Sequence, residues 1–261
     1  MEMGLKGKTA LVMASSQGLG RAIAEQLVKE GANVMLASRN EEKLKQVRNE
    51  LAAMGTGKAE YTVCDITNKH DIHLAVRRAA DIFGRLDILV NNAGGPTAGG
   101  FEDISDEEWH KSFELNLLSY IRLVREALPY LKKQGGRIIN IASISIREPI
   151  PGLILSNTFR LGIVGLAKSL AEELAPYGIL VNTVAPGRIL TERIQELDKA
   201  TAAKKGMTVD EVAAAARKSI PLGRDGKPEE FARVVAFLAS EANTYMTGSS
   251  FFVDGGKLRS I

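Results

Sequence analysis

Ser143 closes the run Arg137-Ile138-Ile139-Asn140-Ile141-Ala142-Ser143, Ser156 follows thirteen residues later, and Arg160 comes four after that. Residues four apart on a helix share a face, so Ser156 and Arg160 would present a hydroxyl and a guanidinium together. Such a set can polarise an oxygen and bind an anion. It moves protons poorly, because an aliphatic hydroxyl is a far weaker acid than a phenol and a guanidinium stays charged at any working pH. A second constellation is Ala14-Ser15-Ser16-Gln17-Gly18-Leu19-Gly20. Glycines placed between a strand and a helix let the backbone approach a pyrophosphate, while the helix N-terminus supplies free N–H groups and a positive dipole end. Ser38 and Arg39 follow a second apolar run, and Arg39 can give a charge-assisted contact to a further phosphate.

The elements that must position these groups follow from the hydrophobic pattern. Short β-rich runs alternate with longer segments of helical period, which predicts repeated βαβ units and a parallel sheet. Strands are expected over Thr9–Ala14, Asn33–Ser38, Ala59–Cys64, Asp87–Val90, Arg137–Ala142, Ile179–Ala185 and Ser250–Val253. Helices are expected over Gly20–Glu30, Glu41–Met54, Lys69–Phe83, about Ser156–Ala175 and Pro228–Ser240. Ser105 with Glu108 forms a capping-box pattern, so another helical segment begins there and extends, with a break, to Lys133. Thr191 to Ile220 is polar, rich in Ala, Lys and Glu, and lacks a strand signal; it reads as a helical flap (191–220) or as a plain surface insertion. The fold class is therefore α/β, a single domain over 1–261.

Composition narrows the partners. The chain has 261 residues, with 34 basic against 31 acidic side chains spread along its length. That gives no concentrated basic patch and argues against nucleic acid. The lone Cys64 ends an apolar run, so no intrachain disulfide can form and a buried thiol in a reducing cytoplasm is expected. No run of eighteen apolar residues occurs, so neither a membrane span nor secretion is expected, and no metal ligand set is assigned.

The glycine turn, Asn91-Asn92-Ala93-Gly94, Asn116, Ser143 and Pro186-Gly187-Arg188-Ile189-Leu190-Thr191 occur in an order and spacing that resembles the short-chain dehydrogenase/reductase family, over Gly7 to Gly256. The general look is that of 3-oxoacyl-acyl-carrier-protein reductases and of sugar or alcohol dehydrogenases. The resemblance implies a doubly wound (Rossmann) sheet of seven parallel strands, a bound NAD or NADP, a carbonyl or secondary alcohol substrate, and a dimer or tetramer. It assigns Ser15, Ser16, Gln17, Gly18, Leu19, Gly20, Ser38, Arg39, Asp65, Ile66, Asn91, Ala93, Gly94, Arg160, Pro186, Gly187, Ile189 and Thr191 to the cofactor, and Ser143, Asn116, Ser156 and Arg160 to the reaction centre. The helix segments Ser112–Lys133 and Ser156–Ala175, and the strand region around Phe251, Phe252 and Val253, would form the interfaces of a homotetramer.

Three departures qualify this. Met13 and Ala14 stand where the family writes Thr-Gly, so either the backbone at Ala14 is ordinary or the phosphate turn is displaced. Ser38 stands where NAD-dependent members carry an acid, which favours NADP(H) over NAD(H). Ser156 and Arg160 stand where the family places the tyrosine that protonates the substrate oxygen and its partner lysine. Tyr120, on the face of Asn116, and Glu148, after Ser143, are weak alternative acids; Tyr120 is more simply core packing. Arg147, Arg188 and Arg193 either hint at an anionic substrate or are ordinary surface arginines. Three functions remain open: an oxidoreductase with an atypical centre, an NADP(H)-binding protein of impaired catalysis, and non-redox chemistry as in the halohydrin dehalogenases. Those relatives carry the arginine but keep the tyrosine and give up the nucleotide loop.

Overall fold

The computed structural model describes residues 2–260. Seven strands form one parallel sheet: β1 (Thr9–Met13), β2 (Asn33–Ser38), β3 (Ala59–Val63), β4 (Ile88–Asn91), β5 (Gly136–Ile141), β6 (Ile179–Pro186) and β7 (Ser250–Val253), in the order β3-β2-β1-β4-β5-β6-β7. The strands are short apolar runs because both faces of the sheet are covered. Successive residues serve opposite faces: Ala10 and Val12 pack in one core layer, Leu11 and Met13 in the other.

The first layer is closed by α1 (Gly18–Lys29), α2 (Glu41–Ala52) and α9 (Pro228–Ala239), through residues such as Ile23, Leu27, Leu44, Phe231 and Val235. The second is closed by α3 (Lys69–Phe83), α5 (Ser119–Leu131) and α6 (Ile154–Leu174), through Ile72, Val76, Leu123, Ile163 and Leu174. Each fully buried Leu or Ile contributes about 1.5–3 kcal/mol relative to exposure. Side-chain caps fix where two helices begin: Asn40 accepts from the Lys43 N–H at α2, and Asn68 from the His70 N–H at α3.

Two local features give detail to the expected pattern. The segment that starts at the Ser105 cap runs as α4 (Asp106–Phe113), then five residues of π-helix (Glu114–Leu118), then α5. Polar side chains compete for carbonyls at this wide turn: Asn116 Nδ2 donates to Ser112 O at 3.3 Å and Ser119 Oγ to Leu115 O at 2.7 Å. The 191–220 region holds two packed helices, α7 (Glu192–Lys205) and α8 (Val209–Lys218), and Thr208 with Glu211 makes a reciprocal capping box at the second.

Strand order reverses between β1 and β4. In an open parallel sheet the crevice beyond the carboxyl ends of the strands at that switch point is where ligands bind. The glycine turn, Asn91–Gly94 and Ser143 all lie at those ends.

Candidate active site

The turn after β1 keeps its shape against a local penalty. Ala14 has φ +49°, the one non-glycine residue with positive φ among the described residues. A left-handed backbone costs an L-residue about 1–2 kcal/mol. The backbone at Ala14 is thus not ordinary, which corrects the first of the two outcomes expected from sequence. Neighbouring bonds hold it. Ser15 N donates to Ala37 O at 3.2 Å, Ala37 N returns a bond to Ser15 Oγ at 2.9 Å, and Asn92 Nδ2 donates to Met13 O at 3.3 Å. Gly20 must lack a side chain, since a Cβ there would collide with the Ala14 carbonyl oxygen. Gln17 occupies the N-cap position of α1 without a side-chain cap, so the first N–H groups of this helix remain available to a ligand. Leu19 is half-buried against the first core layer.

At the end of β2, Ser16 Oγ and Ser38 Oγ lie 2.9 Å apart, beside the exposed Arg39. Lys43, in the first turn of α2, donates to Gln17 Oε1 at 2.6 Å and adds a second cation beside the turn. Sequence inspection passed over Lys43; its place three residues after the Asn40 cap was the available signal. Asp65 does not cap α3, where Asn68 takes that role. Its Oδ1 accepts from the Thr67 N–H at 2.9 Å and the Thr67 hydroxyl at 2.8 Å. The Thr67 N–H holds the Asp65 carboxyl below its ordinary pKa, and the charge of Arg39 acts in the same direction. Ile66 is buried next to it.

The other end of the crevice gathers β4, β5, the π-helical turn and α6. Asn91 donates through Nδ2 to Asn140 Oδ1 at 2.8 Å, tying the ends of β4 and β5. Ala93 is buried and Gly94 is open, with nothing near the position of a Cβ. Ser143 caps a short 3-10 turn (Ile144–Ile146): its Oγ accepts from Ser145 N at 3.1 Å, so its own proton remains to be donated. Asn116 is fully buried, and its Oδ1 has no hydrogen-bond partner among the described residues.

Arg160 lies inside the protein, 5% exposed. Nη1 donates to Ile141 O at 2.7 Å and to the Tyr120 hydroxyl at 3.0 Å, and Nη2 donates to Ala93 O at 3.3 Å. Ser156 sits half-buried one turn before it on α6. At the far side, Gly187 leaves β6 against Asp254, Ile189 is buried and bridges to Gly226, and Thr191 precedes α7. Pro186 closes β6.

The family model described as enoyl-(acyl carrier protein) reductase matches residues 13–257. The chain is 36% identical over 257 residues to the 3-oxoacyl-[acyl-carrier-protein] reductase FabG of Aquifex aeolicus, covering 98% of this chain and 99% of that relative. It is a short-chain dehydrogenase/reductase. Among solved structures, L-sorbose reductase from Gluconobacter frateurii, complexed with NADPH and L-sorbose, superposes with a TM-score of 0.95 at 33% identity over 100% of both chains. YwfH, an NADPH-dependent reductase involved in bacilysin biosynthesis, does so with 0.93 at 30% identity, over 97% of this chain and 99% of that one.

Within this short-chain dehydrogenase/reductase the weaker alternatives raised for the acid and for anion binding find the side chains engaged elsewhere. Glu148 is unsuited to be a general acid: its Oε1 accepts from the Arg259 and Ser260 N–H groups at 3.0 Å each, and these donors hold its carboxyl below the ordinary range. Arg188 is not offered to a substrate. It is bound by Asp198 at 2.9 Å and Asp225 at 2.6 Å, and the exposed Arg217 joins the network through Asp225 at 2.9 Å. Arg193 donates to Pro96 O at 3.0 Å and joins the start of α7 to the loop after β4. Arg147 is exposed. Tyr120 is fully buried with its hydroxyl donated to Ile141 O at 3.0 Å; burial pushes its phenol up despite the opposing charge of Arg160. Of the two readings open for these arginines, Arg188 is taken up by its carboxylate partners and Arg193 is engaged in part by the Pro96 carbonyl.

Proposed function

We propose that this chain is an NADP(H)-dependent short-chain oxidoreductase acting on a small carbonyl compound or secondary alcohol, with a reaction centre that lacks a phenolic acid. The observation that carries the proposal is the β1–α1 turn, retained through a strained Ala14 at the switch point with its helix N–H groups uncapped. The residues fit a dinucleotide: the turn admits a pyrophosphate, and Ser16, Ser38, Arg39 and Lys43 surround the end of β2 with hydroxyls and positive charge, which suits a 2′-phosphate. Asp65 and Ile66 would border the adenine, Asn91, Ala93 and Gly94 the adenosine side, and Pro186, Gly187, Ile189 and Thr191 the nicotinamide amide.

The nicotinamide, when bound, supplies or accepts the hydride. Ser143 donates its free proton as a hydrogen bond to the reacting oxygen, and Arg160 supplies fixed positive potential beneath it while Asn116 orders the adjoining polar pocket. An aliphatic hydroxyl and a guanidinium are both poor proton donors, so the proton comes from solvent. General acid catalysis typically contributes ~10² to 10⁴ in rate, so turnover is expected to be slow by that order. Helices α7 and α8 form a flap over this crevice within a single cytoplasmic domain.

NADPH oxidation assayed against ketones, β-keto esters and aldehydes should show saturable turnover that Ser143→Ala lowers by roughly 10²-fold, with the NADPH dissociation constant unchanged. NADPH should bind more tightly than NADH; the reverse order would remove the role given to Arg39. A second reading, an NADP(H)-binding protein without catalysis, is favoured by the serine at 156. Saturable binding with no turnover above background, unaltered by Ser143→Ala, would establish it. The retained nucleotide turn disfavours the halohydrin type of chemistry, and halide release without nucleotide would reverse that judgement.

A further inference from the structure

Tyr120 heads the largest fully buried side chains of the molecule, and its ring packs in the second core layer. Packing accounts for the ring and leaves the oxygen. That hydroxyl donates to Ile141 O and accepts from Arg160 Nη1, while Nη1 also reaches Ile141 O. The three groups close a triangle on the last residue of β5, two positions before Ser143. Arg160 Nη2 extends the arrangement to Ala93 O beyond β4. No carboxylate of the described residues pairs with this guanidinium. Its charge is solvated by two backbone carbonyls and the phenol, which are contributed by three different segments.

A guanidinium is planar with its donors in a fixed fork, so three acceptors determine both its position and its tilt. Remove the phenolic oxygen, and the two carbonyls still hold Nη1 and Nη2 but no longer fix the plane. We propose that Tyr120 is a positioning residue: its oxygen sets the plane of Arg160, and with it the edge that Arg160 turns towards a bound dinucleotide. This rests on the nucleotide-site reading above, and the experiment separates the two.

Tyr120→Phe removes one oxygen and keeps the ring. Its NADPH dissociation constant, read by fluorescence titration, should rise roughly fivefold, the effect of about one net hydrogen bond. In an Arg160→Met background the same substitution should change affinity by less than about twofold, since nothing is left to orient. Equal effects in both backgrounds, or none in the unaltered chain, would overturn the proposal. Circular dichroism checks that each variant folds, and Arg160→Lys replaces Arg160→Met if the latter does not. The cofactor-free protein gives an independent readout. Nitrogen NMR of the guanidinium should show slowly rotating Nη–H groups for Arg160, assigned by their loss in Arg160→Lys and averaged in Tyr120→Phe. Signals that persist in Tyr120→Phe refute the positioning role even if NADPH binds normally. Absence of saturable NADPH binding by the unaltered protein refutes the nucleotide reading alone.

Discussion

Ala14 occupies a left-handed conformation that glycine adopts without a Cβ penalty. Ala14→Gly should therefore raise stability by about 1 kcal/mol, the relief of strain exceeding the added freedom of the unfolded chain. A higher urea midpoint with unchanged slope would confirm it, and a lower midpoint would show that the bonds from Ser15 and Asn92 leave no strain to relieve. Cys64 is an opposite case, a group whose titration the fold suppresses. Burial, reinforced by Asp71 and Asp65, pushes its thiol up to about 12. The sign follows directly: the stabilising effect of keeping the thiol neutral is fully present below the pKa of a free thiol and is lost as pH rises towards about 12. At pH 8 the folded protein should react with a thiol reagent far more slowly than the denatured chain; equal rates would place Cys64 at an accessible site.

At the scale of elements, the β6–α7 connection is held by charge buried at its root. Arg188 joins Asp198 on α7 to Asp225 in the segment before α9. Arg188→Met would leave the Asp198 carboxylate buried without its partner while Asp225 keeps Arg217, and a loss of about 3–5 kcal/mol is expected by chemical denaturation. A loss under 1 kcal/mol would mean that the network yields to solvent. This arrangement also shows what the sequence could disclose. Strands β2 and β7 and helix α3 have the limits expected from apolar period and caps, because those signals are local. The π-helical turn at Asn116 was foreseen only as an unspecified break, since it depends on side chains competing for carbonyls one turn away. The glycine turn and the shared helix of Ser156 and Arg160 were legible from spacing, while the roles given to Ser143, Ser156 and Arg160 came from the family resemblance. That Arg188 pairs internally, that Glu148 holds the tail, and that Arg160 meets Tyr120 were not, because each joins segments distant in sequence whose approach only the fold creates.

Among the exposed apolar side chains of the molecule, Leu161 is 54% exposed on α6 and Phe252 37% exposed on β7. Both lie in segments assigned to subunit contacts, and a homotetramer is predicted; a sedimentation mass equal to that of a monomer would refute it. The all-parallel sheet carries a consequence for how the chain comes to exist. Among the described residues no strand pairs through a hairpin, so every edge must wait for a crossover to be completed. The central seam waits longest among the early strands, since Thr9 meets Asp87 across a separation of 78 residues. During synthesis β1 therefore has β2 on one side and nothing on the other until β4 has left the ribosome. The edge of β1 that stays unpaired in the growing chain is the same seam at which the strand order later reverses, so the crevice of the folded protein is an aggregation-prone edge of the nascent one until β4 arrives.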